Sequence, residues 1–169
     1  TRTYPLGPLT EDEKRFYTWT LQSHIDLAKA VWLDYCECKM IDTIAREPLW
    51  RHLINYRCGT GHSVSFVGNV HEGPHALNGR NTTLMRPGMI VTDEPGVYET
   101  DLVGIRIENE LVCVHKADNQ YGTFLGFEPI MFVPIATSPI VPGVLTKDEL
   151  DWLNNYHRQV FEKLAPRLN

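Results

Sequence analysis

Three stretches of the chain place apolar residues at the three- and four-residue spacing of an amphipathic helix. The capping box Thr10-Glu11-Asp12-Glu13 predicts a first helix that runs to about Asp34. A second helix is predicted over residues 41–54, where Pro48 would kink or split it. The capping box Thr146-Lys147-Asp148-Glu149 predicts the start of a third. The residues predicted to face inward are Phe16, Leu21, His24, Ile25, Ala28, Val31 and Trp32 in the first helix and Leu150, Leu153, Val160, Phe161 and Leu164 in the third.

The middle of the chain, from Cys58 onward, consists of short β-branched runs separated by glycines. This pattern predicts strands over residues 64–67, 89–92, 104–115 and 123–136, the last interrupted by Pro129 and Pro134, and a polar loop over residues 78–86. Ile105 and Ile107 alternate with Arg106 and Glu108, so the two pairs should face opposite sides of a sheet. Helices followed by mainly antiparallel strands and a further helix predict an α+β fold.

The composition is that of a globular protein rather than a disordered one. Of the 169 residues, 43% are hydrophobic and 22% are charged, which is enough for one ordinary domain with a core. The net charge of −5 and the lack of a basic run argue against nucleic acid as the main partner. No apolar run reaches the ~20 residues that span a bilayer. The cysteines, which are predicted to be free thiols of a cytoplasmic protein, are Cys36, Cys38, Cys58 and Cys113.

Two histidines and two isolated carboxylates stand in glycine-rich or strand-like surroundings. They are His62, His71, Glu94 and Glu108, a combination of imidazole and carboxylate that suits Zn, Mn, Co or Fe. His62 and His71 could share a site only if the chain bends between them, as Gly68-Asn69 would allow. Spacing alone leaves other roles open. Either histidine could be a hydrogen-bonded structural residue, Glu94 a turn carboxylate, and Glu108 the partner of a neighbouring arginine. The helical histidines His24 and His52 are predicted to be structural or solvated.

Four motifs in order give a more specific indication. They are Gly59-Thr60-Gly61-His62, Asn69-Val70-His71-Glu72-Gly73-Pro74, Gly88-Met89-Ile90-Val91-Thr92-Asp93-Glu94-Pro95-Gly96 and Gly104-Ile105-Arg106-Ile107-Glu108-Asn109. With these motifs, residues 1–156 resemble the C-terminal part of the catalytic domain of aminopeptidase P, the Xaa-Pro aminopeptidase. That enzyme belongs to the pita-bread family of methionine aminopeptidase and prolidase. Phe127-Glu128-Pro129 and residues 151–157 resemble the tail of the long cytosolic eukaryotic type.

The resemblance implies a role for each matching residue. His62, Glu94 and Glu108 would be metal ligands, with Glu108 bridging two ions and Glu94 also serving as the catalytic general acid and base. His71 would be a catalytic residue that contacts the substrate or the reacting carbonyl. Arg106 would orient a ligating carboxylate from outside the metal's own ligands. The implied cofactors are two divalent metal ions, usually Mn, with Zn or Co as alternatives.

The chain departs from the family pattern in two respects. The family has His-Gly-Thr-Gly-His, whereas this chain has Cys58 in the first position, and a thiol does not shuttle protons near neutral pH as an imidazole does. Ser63 and Ser65 also replace residues that are commonly glycine. Two aspartate ligands of the family precede a Thr-Arg-Thr like that at Thr1, so the metal site is expected to be incomplete in this chain.

The function implied by the resemblance is metal-dependent release of the first residue from peptides with proline second. The 169 residues alone are expected to be inactive, with the N-terminal half of the same protein as their partner and a homo-oligomer, a dimer, as the assembly. Residues 1–137 would form the C-terminal part of the catalytic domain, and residues 138–169 a linker and helical extension. The alternative is a non-catalytic pita-bread module that binds peptides or proteins. A prolidase is disfavoured by the tail.

Overall fold

The structure, a computed structural model, describes residues 1–168, which form three α-helices and eight β-strands. In chain order these are α1 (Glu11–Ala28), β1 (Val31–Leu33), α2 (Cys38–Trp50), β2 (Gly61–His62), β3 (Ala76–Leu77), β4 (Ile90–Asp93), β5 (Gly96–Glu99), β6 (Val103–Arg106), β7 (Asn109–Asn119), β8 (Gly122–Pro129) and α3 (Lys147–Leu164), followed by a 3-10 turn at Ala165–Arg167. Among the described residues, no helix is both long and apolar enough to cross a bilayer.

The strands pair antiparallel throughout, which confirms the predicted α+β fold. The main sheet has the order β1-β8-β7-β4, and the long hairpin of β7 and β8 forms its centre. Two smaller ladders join β2 to β3 and β5 to β6. The main sheet ends at the pair Asp93–Asn109, beyond which the chain leads directly into the candidate site.

Helix α1 lies at the centre of the molecule and is buried on more than one side. Its C-terminal residues Leu27 and Ala28 join the core formed by the main sheet and α2. Leu21 and Ile25 instead pack with residues of α3 and with the Ile105 and Ile107 side chains. Because α1 contacts both cores, it links the sheet that carries the candidate site to the C-terminal helix.

The two predicted capping boxes are confirmed, but α1 ends earlier than expected. The Thr10 hydroxyl accepts from the Glu13 N–H, and the Glu13 carboxylate accepts from the Thr10 N–H. The helix stops at Ala28 rather than near Asp34, because residues 31–33 pair with β8. Tertiary pairing here overrides the helical spacing of the apolar residues. Pro48 lies inside α2, close to its end, and does not split the helix.

Four further predictions differ from the structure. Residues 64–67 form no strand but part of a loop, and the predicted strand over 104–115 is divided between β6 and β7. The predicted strand over 123–136 ends at Pro129, the first of the two prolines expected to interrupt it, and no second piece forms within residues 130–136. In α3, Leu150 and Phe161 are exposed by 42% and 72%, whereas Tyr156 is buried in their place. Tyr156 lies at helical spacing from Leu153 and Val160, which are buried as predicted.

Candidate active site

The centre of the candidate site is a contact between His62 and Glu94. The Nε2 atom of His62, at the end of β2, lies 3.0 Å from Oε1 of Glu94, which directly follows β4. Thr92 connects the two segments, since its hydroxyl donates to Glu94 Oε1 at 2.8 Å and accepts from the His62 backbone N–H at 2.9 Å. The side chains of His62 and Glu94 are both mostly buried, with 18% and 15% of their surface exposed.

Arg106 neutralises Glu94 from the other side of the carboxylate. Its guanidinium forms an ion pair with Glu94 Oε2, and its Nε donates to the Tyr98 hydroxyl at 2.9 Å. Burial works against the charge of Arg106, but the hydrogen bond to Tyr98 and the negative charge of Glu94 outweigh it and raise the pKa of the guanidinium. Nη2 also lies 3.7 Å from the Cys58 sulfur.

His71 reaches the same place because the chain doubles back. The His71 and His62 rings lie 4.0 Å apart between centroids, at 57° to one another. Gly68 provides the bend with a φ of 145°, a conformation that residues with a Cβ rarely adopt. The Glu72 N–H donates to the Ser63 carbonyl at 3.2 Å and closes the loop. The bend that a shared site required of residues 68 and 69 is therefore present.

These side chains line one cavity, which has a volume of about 340 Å³. Its charged and reactive groups are Cys58, His62, His71, Glu94 and Arg106. His71 is the most exposed of the histidines and carboxylates that meet here, so it faces the open side. The cavity therefore combines an imidazole–carboxylate pair at its base with a second imidazole at its mouth.

Glu108 does not line this cavity. Its Oε2 accepts from the Thr1 hydroxyl. The structure thus brings together His62, Glu94 and His71, and leaves Glu108 in a separate set of contacts.

The donors at this site fit a divalent metal by their chemistry but not by their number. Imidazole nitrogen and carboxylate oxygen are ordinary ligands of Zn and Mn. Within residues 1–168, however, no group of three or more His, Cys, Asp and Glu side chains is arranged to hold a metal ion. The Glu94 carboxylate instead contacts the His62 ring and forms an ion pair with Arg106. The described residues therefore do not form a complete metal site.

A buried ion pair on α2 fixes the segment that carries Cys58 and His62. Asp42 accepts from Arg46 Nε at 2.8 Å and from the Thr60 hydroxyl. The other nitrogens of Arg46 donate to the carbonyls of Tyr56 and Cys58, both at 2.9 Å. The Thr60 carbonyl in turn accepts from the Glu94 N–H at 2.8 Å. This role of Asp42 and Arg46 is not predicted by the motifs of the sequence, in which the i,i+4 spacing of the two residues on a predicted helix is the one available signal.

Gly61 is required by a close approach of two backbones. A Cβ at this position would lie 1.7 Å from the carbonyl oxygen of Thr92, so no other residue fits without movement of β2 or β4. At Gly59 the nearest atom to such a Cβ is 3.4 Å away. The glycine next to His62 therefore sets the distance between the strands that bring His62 to Glu94.

His24 is buried, as a structural histidine would be, and it lies behind the site. Its Nδ1 is 2.9 Å from Oδ2 of Asp93, and neither side chain is exposed. Burial raises the pKa of Asp93 to about 6, and the neighbouring His24 imidazole opposes this shift. His52 stacks on Trp19 at 4.0 Å.

Known families match almost the whole chain. Residues 1–115 match the model of metallopeptidase family M24, and residues 123–169 match the model of the C-terminal region of peptidase M24. Aminopeptidase P2 of Arabidopsis thaliana is 44% identical over 174 residues, covering 99% of this chain and 24% of the relative. Aminopeptidase P1 of Lotus japonicus is 41% identical over 175 residues, covering all of this chain and 26% of the relative.

Solved structures agree with this relationship. An X-prolyl aminopeptidase from Caenorhabditis elegans, described as a cytosolic enzyme with a di-nuclear active site, superposes with a TM-score of 0.92 and 34% identity. The match covers 99% of this chain and 28% of that structure. A prolidase from Pyrococcus furiosus superposes with a TM-score of 0.64 and 25% identity over 76% of this chain and 35% of its own. The pita-bread fold implied by the motifs is thereby confirmed.

The matches also define which part of the relatives this chain represents. The chain spans about a quarter of the length of the curated relatives, at 24% to 28%. It matches a catalytic family model and that family's C-terminal region in succession. The chain therefore belongs to metallopeptidase family M24, as a homologue of aminopeptidase P that corresponds to the C-terminal catalytic region.

Proposed function

We propose that this chain is the C-terminal part of the catalytic domain of an Xaa-Pro aminopeptidase. The proposed reaction is hydrolysis of the first peptide bond of a substrate whose second residue is proline. The observation that carries the proposal is the His62–Glu94 pair, held at 3.0 Å in a cavity that His71 and Arg106 also line. The kinship with aminopeptidases P supports the substrate class.

The proposed metal ligands of this chain are His62, Glu94 and Glu108, for two divalent ions that we take to be Mn, with Zn or Co as alternatives. Such ions would supply Lewis-acid chemistry and acidify a bound water. Because the described residues do not form a complete site, further ligands have to come from the rest of the protein. The 169 residues alone are accordingly proposed to be inactive.

Glu94 is the proposed general acid and base of the chain. Its two oxygens are held differently, one by His62 and Thr92 and the other by Arg106. Arg106 would keep the carboxylate oriented while balancing its charge. His71 is proposed to contact the substrate, because it lies at the exposed mouth of the cavity, within reach of a peptide that enters there.

Cys58 is the position at which this site differs chemically from the family pattern. Its sulfur lies beside Arg106 in the cavity, where the family has an imidazole. A thiol donates hydrogen bonds weakly and is a poor proton carrier near neutral pH. We propose that Cys58 lowers the rate of turnover rather than preventing substrate binding.

The proposed partners are the remainder of the same protein and a second copy, in the cytoplasm. Exposed apolar side chains near the cavity, among them Phe66 and Val67 at 102% and 85% exposure, are consistent with a covering partner. The division at residues 137 and 138 into a catalytic part and a helical extension remains a prediction.

The test is a peptidase assay on the complete protein that carries this chain, supplied with Mn. We expect cleavage of a peptide with proline second and little cleavage of the same peptide with alanine there. Glu94→Gln should lower kcat by about 100-fold or more, since general acid–base groups contribute roughly 10²–10⁴-fold. Glu128→Gln is the matched control, because it removes an exposed carboxylate on β8 that pairs only with Lys116 at 3.5 Å.

A non-catalytic binding module is the second candidate. The incomplete ligand set and Cys58 favour it. The same protein would then bind a proline-containing peptide without cleaving it, and Cys58→His would not produce cleavage. Such a result in a folded, metal-loaded protein would overturn the peptidase proposal.

A further inference from the structure

Glu94 and Glu108, the two carboxylates proposed as metal ligands, each have a neighbour in the sequence whose side chain points away from the cavity. Asp93 and Asn109 are register partners and form the last pair of the β4–β7 ladder. Glu94 follows the first of them and Glu108 precedes the second. Since neighbouring residues of a strand face opposite sides, the Asp93 and Asn109 side chains lie behind the site. Whatever holds this pair therefore also sets the positions of both glutamates.

One imidazole contacts both members of the pair. His24 Nδ1 lies 2.9 Å from Asp93 Oδ2, and its Nε2 lies 3.3 Å from Asn109 Nδ2. All three residues are fully buried. Asp93 has no aligned hydrogen-bond partner among residues 1–168, so the close approach of His24 is its main polar contact. An imidazole from α1 thus spans the ends of two paired strands.

The hydrogen-bond pattern fixes the state of the ring. Asn109 Oδ1 lies 2.7 Å from Arg2 Nη2, and because a guanidinium only donates, this amide oxygen must be the acceptor. The amide nitrogen of Asn109 consequently points at His24 and donates to its Nε2. Nε2 must then carry no proton, which places the ring hydrogen on Nδ1, facing Asp93. The geometry therefore requires one tautomer, in which Nε2 accepts from Asn109 and the Nδ1–H faces Asp93 at close distance without an aligned hydrogen bond.

Helix α3 extends this arrangement to the C-terminal region. The Tyr156 hydroxyl lies 3.1 Å from Asn109 Oδ1 and accepts from Arg2 at 2.8 Å. The Trp152 ring packs edge-on against His24 at 5.9 Å and stacks on Tyr156. The C-terminal helix therefore contacts both His24 and Asn109, although it contributes no residue to the cavity.

We propose that His24 is a positioning residue that holds Glu94 and Glu108 at a fixed separation by joining Asp93 to Asn109 from behind. Tyr156 assists by fixing the Asn109 amide, which gives the C-terminal region an indirect part in the site. The expected effect of His24 on catalysis rests on the proposed function. The coupling of His24 to the two glutamates depends only on the buried contacts described above.

The first experiment measures that coupling in this chain without metal. The amide N–H groups of Glu94 and Glu108 donate to the carbonyls of Thr60 and Thr1, and the Asp34 N–H donates to Thr123 at a distant part of the sheet. In His24→Leu, hydrogen exchange of the Glu94 and Glu108 amides should accelerate by at least about tenfold more than that of Asp34. His24→Asn and His24→Gln, which each restore a polar group near one ring nitrogen, should give intermediate rates.

Thr20→Val is the matched control for general destabilisation of α1. Thr20 is buried in the same helix, and its hydroxyl donates only to the Phe16 carbonyl at 2.7 Å. Its effect on exchange should be equal at Glu94, Glu108 and Asp34. If His24→Leu also accelerated all three amides equally, His24 would be an ordinary core residue and the proposal would be overturned.

The second experiment uses the complete protein that carries this chain. His24→Leu should weaken Mn binding by about 10- to 100-fold, as loss of groups that orient ligands does, and lower kcat more than it changes KM. Tyr156→Phe should have the smaller effect in the same direction. Unchanged Mn affinity in folded His24→Leu would overturn the proposed role. An unaltered complete protein that bound none of Mn, Zn and Co would instead refute the proposed function, and the exchange experiment would still decide the coupling.

Discussion

The Nε2 atom of His62 lies 3.0 Å from Oε1 of Glu94, although His62 ends β2 and Glu94 directly follows β4, two strands that pair with different partners. The approach depends on Thr92, which binds the His62 backbone and the Glu94 side chain through one hydroxyl. It also depends on the backbone contact at Gly61. Substitutions at Arg106, Gly61, Asp42 and Cys58 can therefore test which contacts hold this arrangement together and what it does.

Arg106 should matter for its shape as well as for its charge. Arg106→Leu removes the ion pair with Glu94 and the hydrogen bond to Tyr98, so Mn affinity of the complete protein should fall by about 10- to 100-fold. Arg106→Lys keeps the charge but cannot contact both partners, and should recover only part of the affinity. Tyr98→Phe is the control that removes the hydroxyl alone, and calorimetric titration is the measurement. Full recovery with lysine would show that charge alone suffices.

Gly61→Ala should destabilise this chain by about 1–3 kcal/mol, the usual cost of overpacking. The added Cβ would meet the Thr92 carbonyl at 1.7 Å, so β2 and β4 would have to separate. Gly59→Ala is the matched control, because its Cβ would lie 3.4 Å from the nearest atom, at an ordinary van der Waals distance. Urea unfolding followed by circular dichroism gives both values. Equal effects of the two substitutions would contradict the requirement for a close approach.

Asp42→Asn should cost about 3–5 kcal/mol of stability, since it leaves Arg46 as an unpaired and mostly buried charge. The side chains of Asp42 and Arg46 are only 2% and 12% exposed. Asp151→Asn breaks the exposed i,i+4 pair with Lys147 and should change stability by less than about 1 kcal/mol. Denaturant unfolding of the two variants makes the comparison. A small loss in Asp42→Asn would mean that the ion pair does not anchor the segment at Cys58.

Cys58→His should raise kcat of the complete protein on a peptide with proline second by about tenfold or more. An imidazole at this position could donate to and accept from the reacting groups near neutral pH, which the thiol does poorly. Cys58→Ser removes the sulfur without adding a titrating group, so it should not increase the rate. Steady-state kinetics on the three proteins provide the measurement. Equal rates for the cysteine and histidine forms would show that Cys58 does not limit turnover.

Local sequence signals predicted the helix starts and the facing of residues 105–108. Each capping box is a contact between residues three apart, so the helices at Thr10 and Thr146 could be predicted from the chain itself. The alternation that buries Ile105 and Ile107 and leaves Arg106 and Glu108 partly exposed is also local. Residues 31–33 are predicted to be helical because of their apolar spacing, but they form a strand because they pair with β8.

The sequence by itself determined the family, the helix starts and which residue types could serve a metallopeptidase. Only the tertiary structure decided which of them meet. His62, His71 and Glu94 share a cavity, while Glu108 is engaged by Thr1, and His24 contacts Asn109 across 85 residues of chain. The physical reason is that hydrogen bonds and ion pairs depend on distances of a few ångströms. Spacing along a strand gives the direction of a side chain, but the packing of α1, the sheet and α3 sets those distances.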